Sequence, residues 1–532
     1  LSYESVGSYD PHFKLRGEYA VDDLQQLPCT KDSGHCGARQ IFPLLKHPNW
    51  RTPTVKHSCP RVIMAASIRA VSNKVEPDPK MFEQFSEWCE KFYFPEILSC
   101  FDHELCVVDF SSWLNDGRYT IPYRKQIDNG MKWENRNADP TFPLKSFPKI
   151  EMQHTTVVHE LKQTILNDSK EREICGPSAE HKGIVNAFCN KLEEIFDRYL
   201  KGFCCRKNWM QICESIEKFR EVIVDGIDGA GDQSMFDTSQ KSQFNLLMNR
   251  LIKKILEHPN VIINQPLTPE DIMEGFDKSV FLRVMADFGK ILYNKDNRAS
   301  GHGWTMLLNS ILNLGYWKFT YYLANIKQYW VTIKSDDSLF GHSRADHERF
   351  LAAVDKVFTR SKEPQVHGLG QICKRLDFGD ITDLEFLSNH FFWTEKGRLR
   401  MTRIPERIIQ TLSWTTNIPS NLKGDELLLC RRNLCFSKGM SMLAWGTGLP
   451  IWQVLGEKMV ELGVNGKYTD FCQYRDKSRK WQPRDDKDAY LIYLSKFGIN
   501  SGMVESIESR IKKIKEISGV VEIPEFELFY SE

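Results

Sequence analysis

Residues 330–340 read Trp-Val-Thr-Ile-Lys-Ser-Asp-Asp-Ser-Leu-Phe. A β-branched apolar run leads into two adjacent acids, and a second apolar run leaves them. The pattern predicts strand, tight turn, strand, with Asp336 and Asp337 at the tip. Two ionised carboxylates side by side repel each other, and a divalent cation relieves that repulsion. Taken alone, such a pair is usually just a solvated loop. The upstream sequence is what adds weight to the metal reading.

Asp232-Gln233-Ser234-Met235-Phe236-Asp237 lies upstream. The preceding run, Arg220 to Asp225, reads as a strand. The following Phe244, Leu247, Met248, Leu251, Ile252 and Ile255 recur at helical spacing. Asp232 is therefore expected near a strand end and Asp237 at the start of a helix. In a mixed sheet, that strand end can lie beside the hairpin tip. Asp232, Asp336 and Asp337 would then form one carboxylate cluster able to hold two metal ions, as in-line phosphoryl transfer requires. For Asp232 alone, a helix-capping or turn role competes.

Between the two acidic segments stands Ser300-Gly301-His302-Gly303-Trp304-Thr305-Met306-Leu307-Leu308-Asn309. Its glycines suit a loop that a ligand's backbone can approach. Thr305 and Asn309 share a helix face that continues through Asn313. Polar groups on an otherwise apolar helix need partners, either core hydrogen bonds or the hydroxyls of a sugar.

In this order and at this spacing, Asp-x4-Asp, Ser-Gly-x3-Thr-x3-Asn and the Asp-Asp hairpin resemble motifs A, B and C of viral RNA-dependent RNA polymerases. The resemblance implies a mixed α+β right-hand fold of fingers, palm and thumb, closed by an N-terminal extension that bridges fingers and thumb. The implied layout is an N-terminal extension at 1–110, fingers at 111–224 and 246–290, palm at 225–245 and 291–400, and thumb at 401–532. It implies Asp232, Asp336 and Asp337 as ligands of two Mg²⁺ or Mn²⁺ ions. Asp237 and Asn309 would read the ribose 2′-hydroxyl, assisted by Ser300, Gly301 and Thr305. Ser335 stands where many such polymerases carry glycine. The run Lys334 to Gly341 resembles the compact polymerases of small double-stranded RNA viruses (cystovirus, picobirnavirus, partitivirus); nidovirus-like and picorna-like membership stay open. So do two other readings, a reverse transcriptase and a non-catalytic RNA-binding or packaging protein. Asn309 speaks against the first.

Further motifs follow from the same resemblance. Lys162, Lys170 and Arg172, ahead of Glu173 to Ser178, match motif F and would contact the incoming triphosphate, Arg172 foremost because a guanidinium grips phosphate as a fork. Thr120 to Lys125 matches a template-guiding motif G. Gly368 to Phe378 matches motif D, with Lys374 as general acid to the leaving pyrophosphate and Arg375 as its rival. Leu384 to Phe392, with a second strand over Gly397 to Arg403, matches motif E. The region after about 400 should be helical over Ile404 to Trp414, Asp425 to Met440, Pro450 to Leu462 and Val504 to Ile517. The segment Asn115 to Lys149 reads as loops and short strands.

Composition is compatible with this reading without deciding it. The 532 residues are 41% hydrophobic, enough for two or three domains, and the net charge of +1 does not advertise a nucleic-acid binder. An acidic centre can offset a basic tunnel. The 15 cysteines show no disulfide spacing, so reduced thiols are expected. Cys29, His35, Cys36, His57 and Cys59 are a candidate zinc set, although their spacing matches no standard finger. No apolar run reaches the roughly twenty residues of a membrane span. The expected partners are RNA template and product, nucleoside triphosphates and other viral replication or capsid proteins. The expected location is the host cytoplasm, the virion or a replication complex. Leu1 leaves open a processed polyprotein product or a chosen expression start.

Overall fold

The computed structural model describes residues 39–46, 54–55, 76–116, 121–131, 144–148, 152–153, 173–280, 282–286, 292–295, 297–360, 367–415, 418, 422–463 and 486–530. At its centre lie five strands: β1 (Gly226–Ser234), β2 (Tyr329–Lys334), β3 (Asp337–Ser343), β4 (Phe358–Arg360) and β5 (Gln371–Gly379). Their spatial order is β2-β3-β1-β5-β4, antiparallel except for β4 beside β5.

Five helices frame this sheet: α1 (Trp209–Arg220), α2 (Phe236–Ser239), α3 (Ser242–Leu256), α4 (Thr305–Leu323) and α5 (His347–Val357). A capping box between Asn208 and Gln211 starts α1. α4 is buried all the way round over residues 307–321, as expected for a helix whose apolar residues do not keep to one stripe.

Strand side chains alternate between faces, and both faces are covered. On one face Trp317 of α4 stacks on Phe340 at 4.3 Å and packs on Phe358 at 4.7 Å. On the other, Ala230, Trp330 and Leu339 share a core with Ile212 and Ile216 of α1 and with Phe391 and Met401. The last two belong to a hairpin of β6 (Asn389–Trp393) and β7 (Leu399–Arg403); a hairpin is expected from Leu384 to Arg403, and its first strand starts only at Asn389.

The strand expected over Arg220 to Asp225 is not there. Arg220 closes α1, Val222 and Val224 are exposed, and the strand begins at Gly226. Its apolar alternation is hidden because neighbours fill the space of its missing side chains. A Cβ on Gly229 would lie 2.3 Å from the Phe340 ring, and one on Gly231 2.7 Å from Trp317. Glycine is what lets these aromatics reach the sheet.

The loop reading of Asn115 to Lys149 is corrected in part, since Ile121–Met131 is a helix. Pro122 sits in its first turn, where no N–H partner is needed, and Ile127 and Met131 are buried one turn apart. The described part of the expected motif G, Ile121 to Lys125, opens this helix.

All four helices expected after residue 400 are present, as Pro405–Leu412, Gly424–Gly446, Trp452–Leu462 and Ser501–Lys512; Lys487–Ser495 adds another. They enclose a separate core that includes Trp452, Tyr490, Ile507 and Phe526. A buried Arg400–Asp486 ion pair fastens β7 to it. Near the N-terminus, Arg39–Gln40 pairs with Trp414–Thr415 and Leu44–Lys46 with Val520–Glu522, while Thr54–Val55 pairs with Met152–Gln153.

Candidate active site

Register places the hairpin tip. Lys334 pairs with Asp337, which leaves Ser335 and Asp336 as a two-residue turn. Ser335 has φ +57°, a left-handed conformation that favours glycine. α4 holds this turn through both peptide groups of Ser335. The Ser335 N–H donates to Ser310 Oγ at 2.8 Å, and its carbonyl accepts from Asn313 Nδ2 at 2.9 Å. Asn313 Oδ1 in turn accepts from Gln233 Nε2 at 2.7 Å. One amide therefore joins β1, next to Asp232, to the turn that carries Asp336.

The acids meet across the β1–β3 pair. Ser338 faces Gly231, so Asp337 and Asp232 occupy the next position beyond. Burial pushes the Asp337 carboxyl up to about 7, and Asp336, Asp232 and Glu385 add to the rise against an opposing pull from Arg407. Asp337 therefore sits in the field of both Asp336 and Asp232. Among the described residues no three acidic, histidine or cysteine side chains close into a cage for a cation. The donors are nonetheless hard oxygens of like charge, which is the chemistry of Mg²⁺ or Mn²⁺.

Lys374 reaches the same place. β5 carries a bulge between Cys373 and Arg375, and the bulged Lys374 lies with Nζ 3.4 Å from Asp232 Oδ2. Its rival Arg375 is committed elsewhere, to Asp377 at 2.8 Å and Glu385 at 3.1 Å. The bulge thereby turns the side chains of two adjacent cations to different partners.

After β1 the chain reverses at Met235 (φ +54°) and starts α2, which brings Asp237 over α4. Asn309 Nδ2 donates to Asp237 Oδ1 at 2.5 Å. Asn309 is buried and Asp237 partly exposed, so the carboxylate is the more accessible of the two. Thr305 Oγ1 donates to the Ala299 carbonyl at 2.7 Å, which is a structural bond. The Ser300 carbonyl accepts from the Cys175 N–H at 2.7 Å. Gly301 has φ +108°, and a Cβ there would lie 2.8 Å from the Cys175 carbonyl. The close approach expected at this loop is therefore made by the protein's own Glu173–Gly176 strand.

Lys162, Lys170 and Arg172, and the cysteines and histidines at 29, 35, 36, 57 and 59, lie outside the described residues. Cys204 and Cys205 are buried thiols, and Cys205 Sγ sits 2.9 Å from Ser310 Oγ. Sequence reasoning missed Gln233, Ser310, Arg298 and Glu385. A polar residue beside Asn309 in an apolar helix was a usable signal for Ser310. Nothing local marks the other three.

A family model of viral RNA-dependent RNA polymerases matches residues 160–440. A comparison with curated proteins finds no match. The matched stretch is more than half of the 532 residues and contains every described side chain discussed above as a carboxylate, ribose or general-acid candidate. The chain belongs to the viral RNA-dependent RNA polymerase family and is an RNA-directed RNA polymerase, a nucleotidyltransferase.

Proposed function

We propose that Asp232, Asp336 and Asp337 hold two Mg²⁺ or Mn²⁺ ions and form the centre of template-directed RNA synthesis. The observation that carries this reading is the placement of Asp337 in the field of both Asp336 and Asp232 at the β1–β3 junction, with its carboxyl raised to about 7 and Lys374 alongside. Bound there, the two ions supply a lowered pKa for the attacking 3′-hydroxyl and charge stabilisation of the leaving oxygens. The 3′-hydroxyl gives up its proton to solvent, its oxygen bonds to the α-phosphorus of a ribonucleoside triphosphate, and the bond from that phosphorus to the bridging oxygen breaks. Lys374 gives its proton to the departing pyrophosphate. Asp237, backed by Asn309, accepts a hydrogen bond from the ribose 2′-hydroxyl, the group that separates RNA from DNA precursors. Ser300, Gly301 and Thr305 shape the loop beside that sugar, and Lys162, Lys170 and Arg172 neutralise the triphosphate.

In the same reading the molecule is a right hand. The five-stranded sheet is the palm and the helices after residue 400 are the thumb. The pairing of residues 39–46 with 414–415 and 520–522, and of 54–55 with 152–153, supports an N-terminal extension that bridges fingers and thumb. The Lys334 to Gly341 run favours the compact polymerases of small double-stranded RNA viruses.

The reading is tested by synthesis on a single-stranded RNA template of known sequence with Mg²⁺ or Mn²⁺. Product should reach template length with four ribonucleotides. With one omitted, it should stop at the first position requiring that nucleotide. Product whose composition ignores the template would contradict the proposal.

A further inference from the structure

Arg298 is an arginine at 2% exposure in the middle of the protein, two residues ahead of the Ser300–Gly301 loop. Burying a guanidinium costs several kcal/mol unless its donors are used. Its Nη1 donates to Asn309 Oδ1 at 2.9 Å and its Nη2 to Asn245 Oδ1 of α3 at 2.8 Å. Its backbone N–H donates to the Gln240 carbonyl at 3.1 Å, just after α2. Burial brings the guanidinium down to about 10, with Tyr316 and Asp237 pulling the other way, so it stays charged at neutral pH.

The two ends of the Asn309 amide therefore face groups of opposite kind. Its oxygen meets a guanidinium, which only donates. Its nitrogen meets the Asp237 carboxylate, which only accepts. A flipped amide would set donor against donor and acceptor against acceptor. We infer that Arg298 is a positioning residue for sugar selection: it fixes the orientation of the Asn309 amide, and through that amide the Asp237 carboxylate that meets the 2′-hydroxyl. This inference rests on the proposed ribose role of Asp237. Arg298 itself touches no substrate. It acts from behind, and Asn245 holds the other half of its fork.

The test compares kcat/KM for a ribonucleotide and its 2′-deoxy counterpart, using the full chain on one RNA template. Arg298→Met should lower the ribose preference roughly tenfold, the size of one well-made hydrogen bond lost in the transition state, with incorporation of the deoxynucleotide little changed. Arg298→Lys keeps a buried cation but cannot fork to both asparagines, so the preference should fall several-fold. If the Met variant does not fold, the Lys variant decides by the same ratio. Asp237→Ala should lose the preference by itself, and adding Arg298→Met to it should change the ratio no further. Loss of preference in Asp237→Ala with full preference in a folded Arg298 variant overturns the role of Arg298. Full preference in Asp237→Ala overturns the ribose reading itself. A merely structural role for Arg298 would lower both rates together and leave their ratio unmoved.

Discussion

Asn313 is buried and spends both ends of its amide, one on Gln233 and one on the Ser335 carbonyl. Asn313→Leu keeps the volume and removes both bonds. The Gln233 amide is itself buried, and its Oε1 has no hydrogen-bond partner among the described residues. Stranding its Nε2 as well costs about 1–3 kcal/mol. The Ser335 carbonyl is only partly buried and regains water, so its loss costs about 0.5–1.5 kcal/mol. Together the substitution should destabilise the fold by about 1.5–4.5 kcal/mol. Gln233→Met should cost less than Asn313→Leu, because it strands Asn313 Oδ1 but also removes an oxygen that was already unpaired. The double variant removes both sides of the buried contact and should be more stable than the two single losses summed, by roughly 1–2 kcal/mol. Urea unfolding of the wild type and three variants measures this cycle. Stability recovered in the double variant should not restore RNA synthesis, since the turn bearing Asp336 still lacks its tether. Additive losses, or an Asn313→Leu variant as stable and active as wild type, would refute the tether.

Three further expectations follow from single side chains. Ser335→Gly relieves the left-handed backbone at the turn and should keep activity while raising stability by up to about 1 kcal/mol in urea unfolding; a large loss of activity would assign the hydroxyl a role. Burial lifts the Asp228 carboxyl to about 6 despite Arg220 at 2.9 Å. A folded-state value above the unfolded one means that its contribution to stability is full below about pH 4 and lost as pH rises through 6, on the order of 3 kcal/mol at most. Asp228→Asn should therefore gain on wild type between pH 4 and pH 7 in parallel unfolding curves, and parallel profiles would exclude it. Lys374→Met should lower kcat by about a hundredfold with nucleotide KM little changed, in rapid-quench incorporation, whereas Arg375→Met should act mainly through its bonds to Asp377 and Glu385.

The parts of this molecule that announce themselves in sequence are those whose neighbours lie close along the chain. The Asp336–Asp337 hairpin has an apolar β-branched run before its acids and a short apolar run after them, and α3 and the Pro405–Leu412 helix carry a clear apolar period. β1 was misplaced because its inward positions are Gly229 and Gly231, whose volume is supplied by Phe340 and Trp317 from far along the chain. Lys374 is preferred over Arg375 in the sequence, but the reason lies outside it: a bulge brings the Lys374 side chain to Asp232. Arg298 was invisible for a related reason: a charged residue before a glycine loop reads as solvated until α3 and α4 close over it.

The most direct measurement is incorporation of labelled ribonucleotides on an RNA template by wild type and Asp336→Ala, with RNA affinity measured alongside at fixed salt. The account predicts template-length RNA from wild type, none from Asp336→Ala, and equal RNA binding by both. Undiminished synthesis by Asp336→Ala would contradict the assignment of the β1–β3 carboxylates as the catalytic centre.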